Sequence, residues 1–509
     1  MSIQDIIGRE TEIKRLDQCM RENKAQLIIV YGRRRIGKTY LINSYFENQF
    51  DFKLTGIFNQ PIAIQLDNFA RELRRQTGKT KGTPNNWFDA FDELRTYLEE
   101  LEKEPVANTI PGSMAKRKLT VFFDEMPWLD TRGSNFISAF EWFWNDYGCT
   151  NKNLVFIVCG SAASWMSEKI DKNKGGLFSR QTCRLYLKPF TLYETERFLM
   201  SKQIEWSRYD IAECYMIMGG IPYYLDILNS GLYYSANIDN LFFRKSGELW
   251  DEFDHLYHTL FSNSKQYIKI VETLSRRRYG MTRKEISDAT GLAYNGVLST
   301  YLSNLEASGF IRVFSKFNCK KRDLCYQLTD YYTLFYFRFI KDNYGADEHF
   351  WSHSYDYPAR RTWAGLTFEL LSWDHVSQIK KKLGIFGVLT KESTWNFIKS
   401  KKTDETIFSD HKTVSDNDTI EEFTGAQIDL LIDRRDRTIN VCEIMFSTKE
   451  FEIDEQYNKS LRNKVESFRQ ATDTKKTLSI TMITTYGVKP GKYTGAIGSE
   501  VVLDDLFEK

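Results

Sequence analysis

The run Gly32-Arg33-Arg34-Arg35-Ile36-Gly37-Lys38-Thr39 ends in a lysine and a hydroxyl, with glycines at its first and sixth positions. Glycines let a backbone curl until its N–H groups face phosphate oxygens. A lysine at this spacing reaches the β- and γ-phosphates, and a threonine hydroxyl ligates Mg²⁺. A second set of oxygens follows at Asp124 and Glu125, after the apolar run Leu119 to Phe123. Beside a bound triphosphate, Asp124 would hold Mg²⁺ through water and Glu125 would orient or deprotonate the attacking water. A carboxylate pair at a strand end is ordinary by itself; downstream of a phosphate loop it acquires this meaning. Ser161 follows a third apolar run, and could sense the γ-phosphate, although a Gly-Ser turn opening a helix fits the same residues. The last set is Glu369, Asp429 and Glu443, each among apolar neighbours. Two or three converging carboxylates would suit Mg²⁺, a hard cation that takes oxygen ligands and keeps several waters.

These groups need elements to hold them. Leu27 to Tyr31 reads as a strand, and the residues after Lys38 as a helix. Apolar strands alternating with helix-compatible stretches predict an α/β fold with a parallel sheet and crossover helices. The stretch GGIP (219–222) reads as a helix break, since glycines and a proline stop one helix and start another.

Seven pieces stand in order between residues 6 and 225: IIGRETE (6–12), YGRRRIGKT (31–39), VFFDEMPW (121–128), CGSAASWM (159–166), GGLFSR (175–180), LKPFTLYE (187–194) and GGIPYYL (219–225). In these the chain resembles a prokaryotic AAA+/STAND-type P-loop ATPase of the archaeal ATPase family. The resemblance implies ATP and Mg²⁺ as cofactors, a parallel sheet with a helical lid, and a nucleotide cradle running from Gly32 through Arg33, Arg34, Arg35, Ile36, Gly37, Lys38 and Thr39 to Tyr40. It places Gly8 and Arg9 near the adenine, and Pro222 beside the nucleotide from the lid. It offers Arg180 as an arginine sensor or finger, in cis or across a contact in a homo-oligomer.

Residues 264–327 change character. KEISDATGL (284–292) and NGVLSTYLSNLEASGFIRVFSK (295–316) read as helix, turn, helix and strand. Ile286, Ala289, Leu292, Val297, Leu298, Leu302 and Leu305 take the core positions of a helix-turn-helix. Phe310 to Val313 and Leu324 to Leu328 would form a wing, with Lys320, Lys321 and Arg322 at its tip. This is the pattern of a winged helix, which the resembling family carries at the same place. Its second helix (Tyr294 to Ser303) has few cations, whereas phosphate contacts dominate DNA affinity and need Lys or Arg. DNA binding and a structural or protein-contact role both fit it. The aromatic stretch 331–340 reads as core packing rather than a base-stacking platform.

Residues 362–376 read as a helix bearing Glu369, followed by two strands with Asp429 and Glu443, an amphipathic helix (454–471) and a last strand (478–487). That order is the core of a PD-(D/E)XK, restriction-endonuclease-like fold. W-x-G-x-x-F-E, G-A-Q-I-D and C-E-x-x-F-S resemble the C-terminal domain that accompanies the same ATPase family. Strict alternation puts Gln427, Asp429 and Leu431 on one face, and Val441, Glu443 and Met445 on one face of the next strand. A four-residue RRDR loop would pair Asp429 with Cys442, one residue away from the pairing with Glu443 that brings the carboxylates together. A bulge could correct it. The family pattern has a lysine where this chain has Met445, and Lys449 or Lys464 could supply the ammonium from elsewhere.

The chain thus divides into 1–190 (ATPase core), 191–262 (helical lid), 263–340 (winged helix with its connecting helix) and 341–509 (nuclease-like). The total of 70 Lys+Arg against 68 Asp+Glu gives no bulk nucleic-acid signature. The basic clusters at 33–35, 116–118, 276–278 and 320–322 ordinarily read as solvated faces. Eight scattered cysteines without a CxxC pair argue against zinc and a disulfide framework, and for a cytoplasmic setting. No apolar run is long enough to span a membrane, and the N-terminus lacks a secretory pattern. These readings predict an ATP-hydrolysing switch controlling the winged helix and nuclease-like module, acting on DNA. The alternatives are an ATP-regulated Mg²⁺/Mn²⁺ endonuclease and a non-cleaving DNA-binding regulator.

Overall fold

The computed structural model describes residues 6–78, 82–103, 117–162, 165–171, 180–261, 263–318, 324–343, 345–397 and 426–509. Five strands, β1 (Gln26–Gly32), β2 (Phe52–Thr55), β3 (Leu119–Asp124), β4 (Leu154–Gly160) and β5 (Cys183–Leu187), form a parallel sheet in the order β2-β3-β4-β1-β5. The central strands are apolar throughout because both faces are covered. Alternation along β1 divides its side chains between two cores. Ile28 and Val30 join one with Leu16 and Ile42, while Leu27 and Ile29 join another with Phe91, Phe123 and Phe140. The order places β1 and β3 on either side of β4, so the phosphate loop and Asp124 emerge from the same end of the sheet.

Beyond β5 come the helices Leu192–Ser201, Arg208–Met218, Pro222–Asp226 and Glu252–Leu260. The first is opened by a capping box between Thr191 and Glu194. The second stops at Gly219 with φ 69°, and Pro222 sits in the first turn of the third, the break that GGIP announces.

Residues 264–340 build the helices Ser264–Ser275, Arg283–Thr290 and Gly296–Ala307 beside an antiparallel sheet of β6 (Met281–Thr282), β7 (Ile311–Ser315) and β8 (Leu324–Leu328), ordered β6-β8-β7. Of the expected core positions Ile286, Leu298, Leu302 and Leu305 are buried, but Ala289 and Val297 are exposed, because they lie on the solvent faces of their helices. Lys320, Lys321 and Arg322 lie outside the described residues. In the aromatic stretch, Tyr331, Tyr332, Phe335, Phe339 and Ile340 are buried, so it is core.

The remainder carries the helices Pro358–Asp374 and Glu455–Thr472 around a mixed sheet of β9 (Thr390–Phe397), β10 (Ala426–Arg434), β11 (Thr438–Met445), β12 (Thr477–Thr484) and β13 (Ser499–Val502), in the order β13-β12-β11-β10-β9. Two details differ from the expectation of a four-residue loop and strict alternation. Arg434 belongs to β10, so the loop is the three residues 435–437, with Arg437 left-handed at φ 67°. A three-residue hairpin ending in a left-handed residue is a standard closure. It pairs Leu430 with Cys442 and Leu431 with Val441. One step further along that register Asp429 faces Glu443. The pairing of β10 with β9 is also irregular between Ile428 and Leu431. Ile428 and Leu431 therefore pack in one core, and Leu430 and Ile432 in the other.

Candidate functional sites: a nucleotide cleft and a carboxylate cleft

The loop between β1 and the helix Lys38–Tyr45 needs its glycines. A Cβ on Gly32 would stand 2.5 Å from the Leu187 carbonyl oxygen, and Gly37 turns at φ 86° to open the helix. A cleft of about 410 Å³ lies over this loop, lined by Arg34 to Leu41, Arg9, Glu125 and Pro222, with Ile7, Phe190, Phe198 and Tyr223 as its apolar walls. The Thr39 hydroxyl donates to Asp124 Oδ2 at 2.9 Å, so two oxygens suited to Mg²⁺ stand side by side. Lys38 Nζ is folded back on its own loop, donating to the carbonyls of Gly32 (3.2 Å) and Arg33 (2.9 Å).

Glu125 sits at φ 46°, a left-handed turn that points it away from the strand direction. It accepts from Ser161 Oγ at 2.8 Å and Ser161 N at 3.1 Å. Ser161 thus holds Glu125. Burial pushes the Glu125 carboxyl above the usual range, opposed by the Lys38 charge. Arg9 donates to the carbonyls of Lys188 (2.7 Å) and Ile36 (3.1 Å) and lies over the Phe190 ring, pinning the loop to the segment after β5. Burial holds its pKa below the ordinary arginine value. Gly8, at φ 68°, packs against Glu194. Tyr40 lines the cleft from its exposed rim.

The three loop arginines go to different places. Arg34 is partly exposed and reaches the His255 carbonyl at 3.4 Å. Arg35 pairs with Glu252 at 2.8 Å and lies 4.3 Å over the Tyr223 ring. Arg33 turns away from the cleft into a buried ion pair with Asp330, just before the helix Tyr331–Phe335. Arg180 is exposed in the turn before β5, off this cleft.

The second cleft, about 420 Å³, brings Glu369, Asp429 and Glu443 together with Arg278, Lys464 and Met445. Arg278 Nε donates to Glu369 Oε2 at 3.1 Å, and its Nη2 bonds both Glu369 Oε1 and Asp429 Oδ1, the latter at 3.3 Å. Lys464 donates to Glu443 Oε1 at 2.6 Å, and Tyr457 Oη donates to the same oxygen at 3.2 Å. Gln427 donates to Asp429 Oδ1 at 2.9 Å. Burial pushes all three carboxyls above their usual range. Lys449 is exposed and does not line the cleft. Among the described residues no three His, Cys, Asp or Glu side chains are gathered as a metal site. The roles of Asp330, Glu252 and Arg278 do not show in the residue pattern. Of these only Arg278 carries a signal, as the last residue of the basic cluster at 276–278.

Residues 6–228 match the family profile described as an ATPase domain predominantly from Archaea. An uncharacterized protein of Methanocaldococcus jannaschii is 28% identical over 344 residues, covering 67% of this chain and 70% of that protein. An uncharacterized ATP-binding protein of the same organism is 51% identical over 43 residues, 8% of this chain and 73% of that protein. Among solved structures, a Walker-type ATPase of Pyrococcus abyssi aligns at TM-score 0.40 and 17% identity, over 66% of this chain and 97% of that one. The Aeropyrum pernix ORC2 protein aligns at TM-score 0.40 and 14% identity, over 74% and 97%. At such scores the structural likenesses carry no further argument. No described helix is long and apolar enough to cross a membrane. By that match residues 6–228 carry an ATPase domain, and the chain is an ATPase.

Proposed function

We propose that this ATPase is a switch whose nucleotide state is read by a winged helix (263–340) and a PD-(D/E)XK nuclease-like module (341–509), acting on DNA. The helix pair at 283–307 beside the sheet β6-β8-β7 supports the first assignment. The mixed sheet bearing Asp429 and Glu443, with Glu369 on the preceding helix, supports the second.

In the nucleotide cleft, Thr39 and Asp124 would hold Mg²⁺, which neutralises charge on the β- and γ-phosphate oxygens when bound. Lys38 binds the phosphates by leaving the Gly32 and Arg33 carbonyls. Glu125, held by Ser161, orients the attacking water and takes its proton, and its raised pKa brings it nearer the working pH. Arg180, exposed off the cleft, would meet a nucleotide only across a contact with a second copy.

One observation carries the switch. A path of side-chain bonds, joined through the chain neighbours Asp330–Tyr331 and Trp373–Asp374, runs from the phosphate loop to the carboxylate cleft. Arg33 pairs with Asp330; the next residue, Tyr331, donates to Asp374 at 2.7 Å; and Trp373 donates to the Asp429 carbonyl at 3.1 Å. When Lys38 leaves the Arg33 carbonyl for a phosphate, it acts on the residue that holds Asp330. The test is duplex-DNA affinity of the full chain with a non-hydrolysable ATP analogue against ADP. A severalfold difference, lost in Asp330→Asn, is expected. Equal affinities, or a difference that survives the substitution, refute the switch.

Cleavage is the second reading, supported by Lys464 taking the ammonium place beside Glu443 that Met445 leaves open. As folded, Arg278 and Lys464 already neutralise the carboxylates, and the cleft does not fit a divalent cation. Wild-type protein should leave supercoiled DNA intact with Mn²⁺ and ATP. Nicking that disappears in Glu443→Ala would establish the endonuclease instead.

A further inference from the structure

We infer that Arg278 is the resident cation of the carboxylate cleft. It stands between Glu369 and Asp429 and excludes a divalent cation until the segment that carries it withdraws. The inference rests on the nuclease-like reading of this cleft, and concerns how that site is regulated.

The geometry is specific. A guanidinium offers donors in a rigid fork, and here two of its nitrogens grip Glu369 while one also reaches Asp429. These are the two carboxylates that a metal would have to share with Glu443. Glu443 is taken by a different cation, Lys464, so every acid of the cleft is engaged by a charge from the chain itself. Arg278 belongs to neither strand nor helix of the C-terminal region. It sits in the turn between the helix Ser264–Ser275 and β6, where Gln327 of β8 donates to its carbonyl at 2.6 Å. Its position therefore follows the helix-turn-helix region. Its two neighbours in the basic cluster do not share this role: Arg276 pairs with Glu272 on the preceding helix, and neither it nor Arg277 lines the cleft. Arg278 itself is 40% exposed, so it can leave the acids for water without opening a core. A guanidinium and a divalent cation cannot occupy one place between the same oxygens, so the two compete.

The test is Mn²⁺ binding to the nucleotide-free full chain, read by electron paramagnetic resonance of the free ion, and needs no activity. Arg278→Ala should bind one Mn²⁺ at least tenfold more tightly than wild type, and Arg276→Ala should behave as wild type. Adding Asp429→Ala to Arg278→Ala should abolish the gained site, which separates it from the Thr39–Asp124 oxygens. Arg278→Gln, which keeps hydrogen bonds without the charge, guards against a packing defect and should also gain affinity. Equal Mn²⁺ affinity in wild type and both Arg278 variants overturns the inference and leaves the cleft standing as a metal site. Absence of Mn²⁺ binding in every variant overturns both the inference and the metal-site reading.

Discussion

Replacing Asp330 tests how the phosphate loop is tied to the rest of the chain. Its side chain is fully buried and that of Arg33 is 5% exposed, so water screens neither charge. One Asp330 oxygen takes Arg33 Nη1. The other accepts from Thr333 N at 3.0 Å and Thr333 Oγ1 at 2.6 Å, capping the helix Tyr331–Phe335. Among the described residues Arg33 Nε and Nη2 make no hydrogen bond, and the Phe310 ring lies 5.2 Å from the guanidinium. Asp330→Asn keeps the cap but strands a buried cation, at a cost of about 3–5 kcal/mol. Asp330→Ala removes the cap as well, adding about 1 kcal/mol. Arg33→Met strands the carboxylate, which keeps both Thr333 bonds, so about 3 kcal/mol is expected. The pair Arg33→Met with Asp330→Asn leaves no buried charge and should cost only about 1 kcal/mol, because a buried ion pair is worth little against a neutral replacement. Urea unfolding followed by fluorescence of the 11 tryptophans measures all four variants, with and without ATP. Additive costs in the double variant, or an Asp330→Asn chain within about 0.5 kcal/mol of wild type, would refute the argument.

Glu125→Gln should bind ATP and lose about 10²- to 10⁴-fold in kcat, measured by phosphate release. In the wild type the acidic limb of the rate profile should lie above the usual glutamate range, because burial raises Glu125. Gly32→Ala should lose nucleotide binding in an equilibrium dialysis assay, and about 1–3 kcal/mol of stability, because a Cβ meets the Leu187 carbonyl oxygen at 2.5 Å. His375 is buried, with Nδ1 donating to the Leu371 carbonyl and Nε2 accepting from Leu192 N, an arrangement only the neutral ring can make. Its pKa is lowered by burial, so the unfolded chain takes the proton first on acidification. Stability contributed at neutral pH should therefore fall as pH drops below about 6.5, the ordinary histidine value. A melting temperature independent of pH between 7.5 and 5.5 would sink this reading, whereas His375→Gln should flatten the slope.

Much of the nucleotide cleft is legible in the sequence because its groups are tied to their strands by short spacing. Gly32 to Thr39 follows β1, and Asp124 with Glu125 ends β3; once the sheet is parallel, both must emerge at one end. What spacing does not give is direction. Arg33, Arg34 and Arg35 are consecutive, yet one pairs with Asp330, one reaches a carbonyl at the rim and one pairs with Glu252. Those partners lie more than 200 residues away and become neighbours only when the later helices pack. Ser161 shows the same limit. A strand end beside the phosphates is where it stands, but the left-handed turn at Glu125 makes it hold that carboxylate.

The carboxylate cleft is harder to read, because its acids are local and its cations are not. The hairpin register turns on whether Arg434 ends the strand or opens the loop. Arg434 stays in the strand and reaches across to Asp436 at 2.9 Å, a contact whose geometry no residue pattern displays. Lys464 comes 19 residues after Met445 on a helix, and reaches Glu443 only because Phe468 seats that helix in the core beside Leu431 and Val441. Arg278 comes from 91 residues before Glu369, out of a basic cluster whose other two members do not line the cleft. A motif that counts carboxylates near a hairpin measures what could bind a cation. Whether a cation is already there depends on charges folded in from other elements. At this cleft the chain supplies two of its own, which is why its acids, taken alone, overstate its readiness for metal.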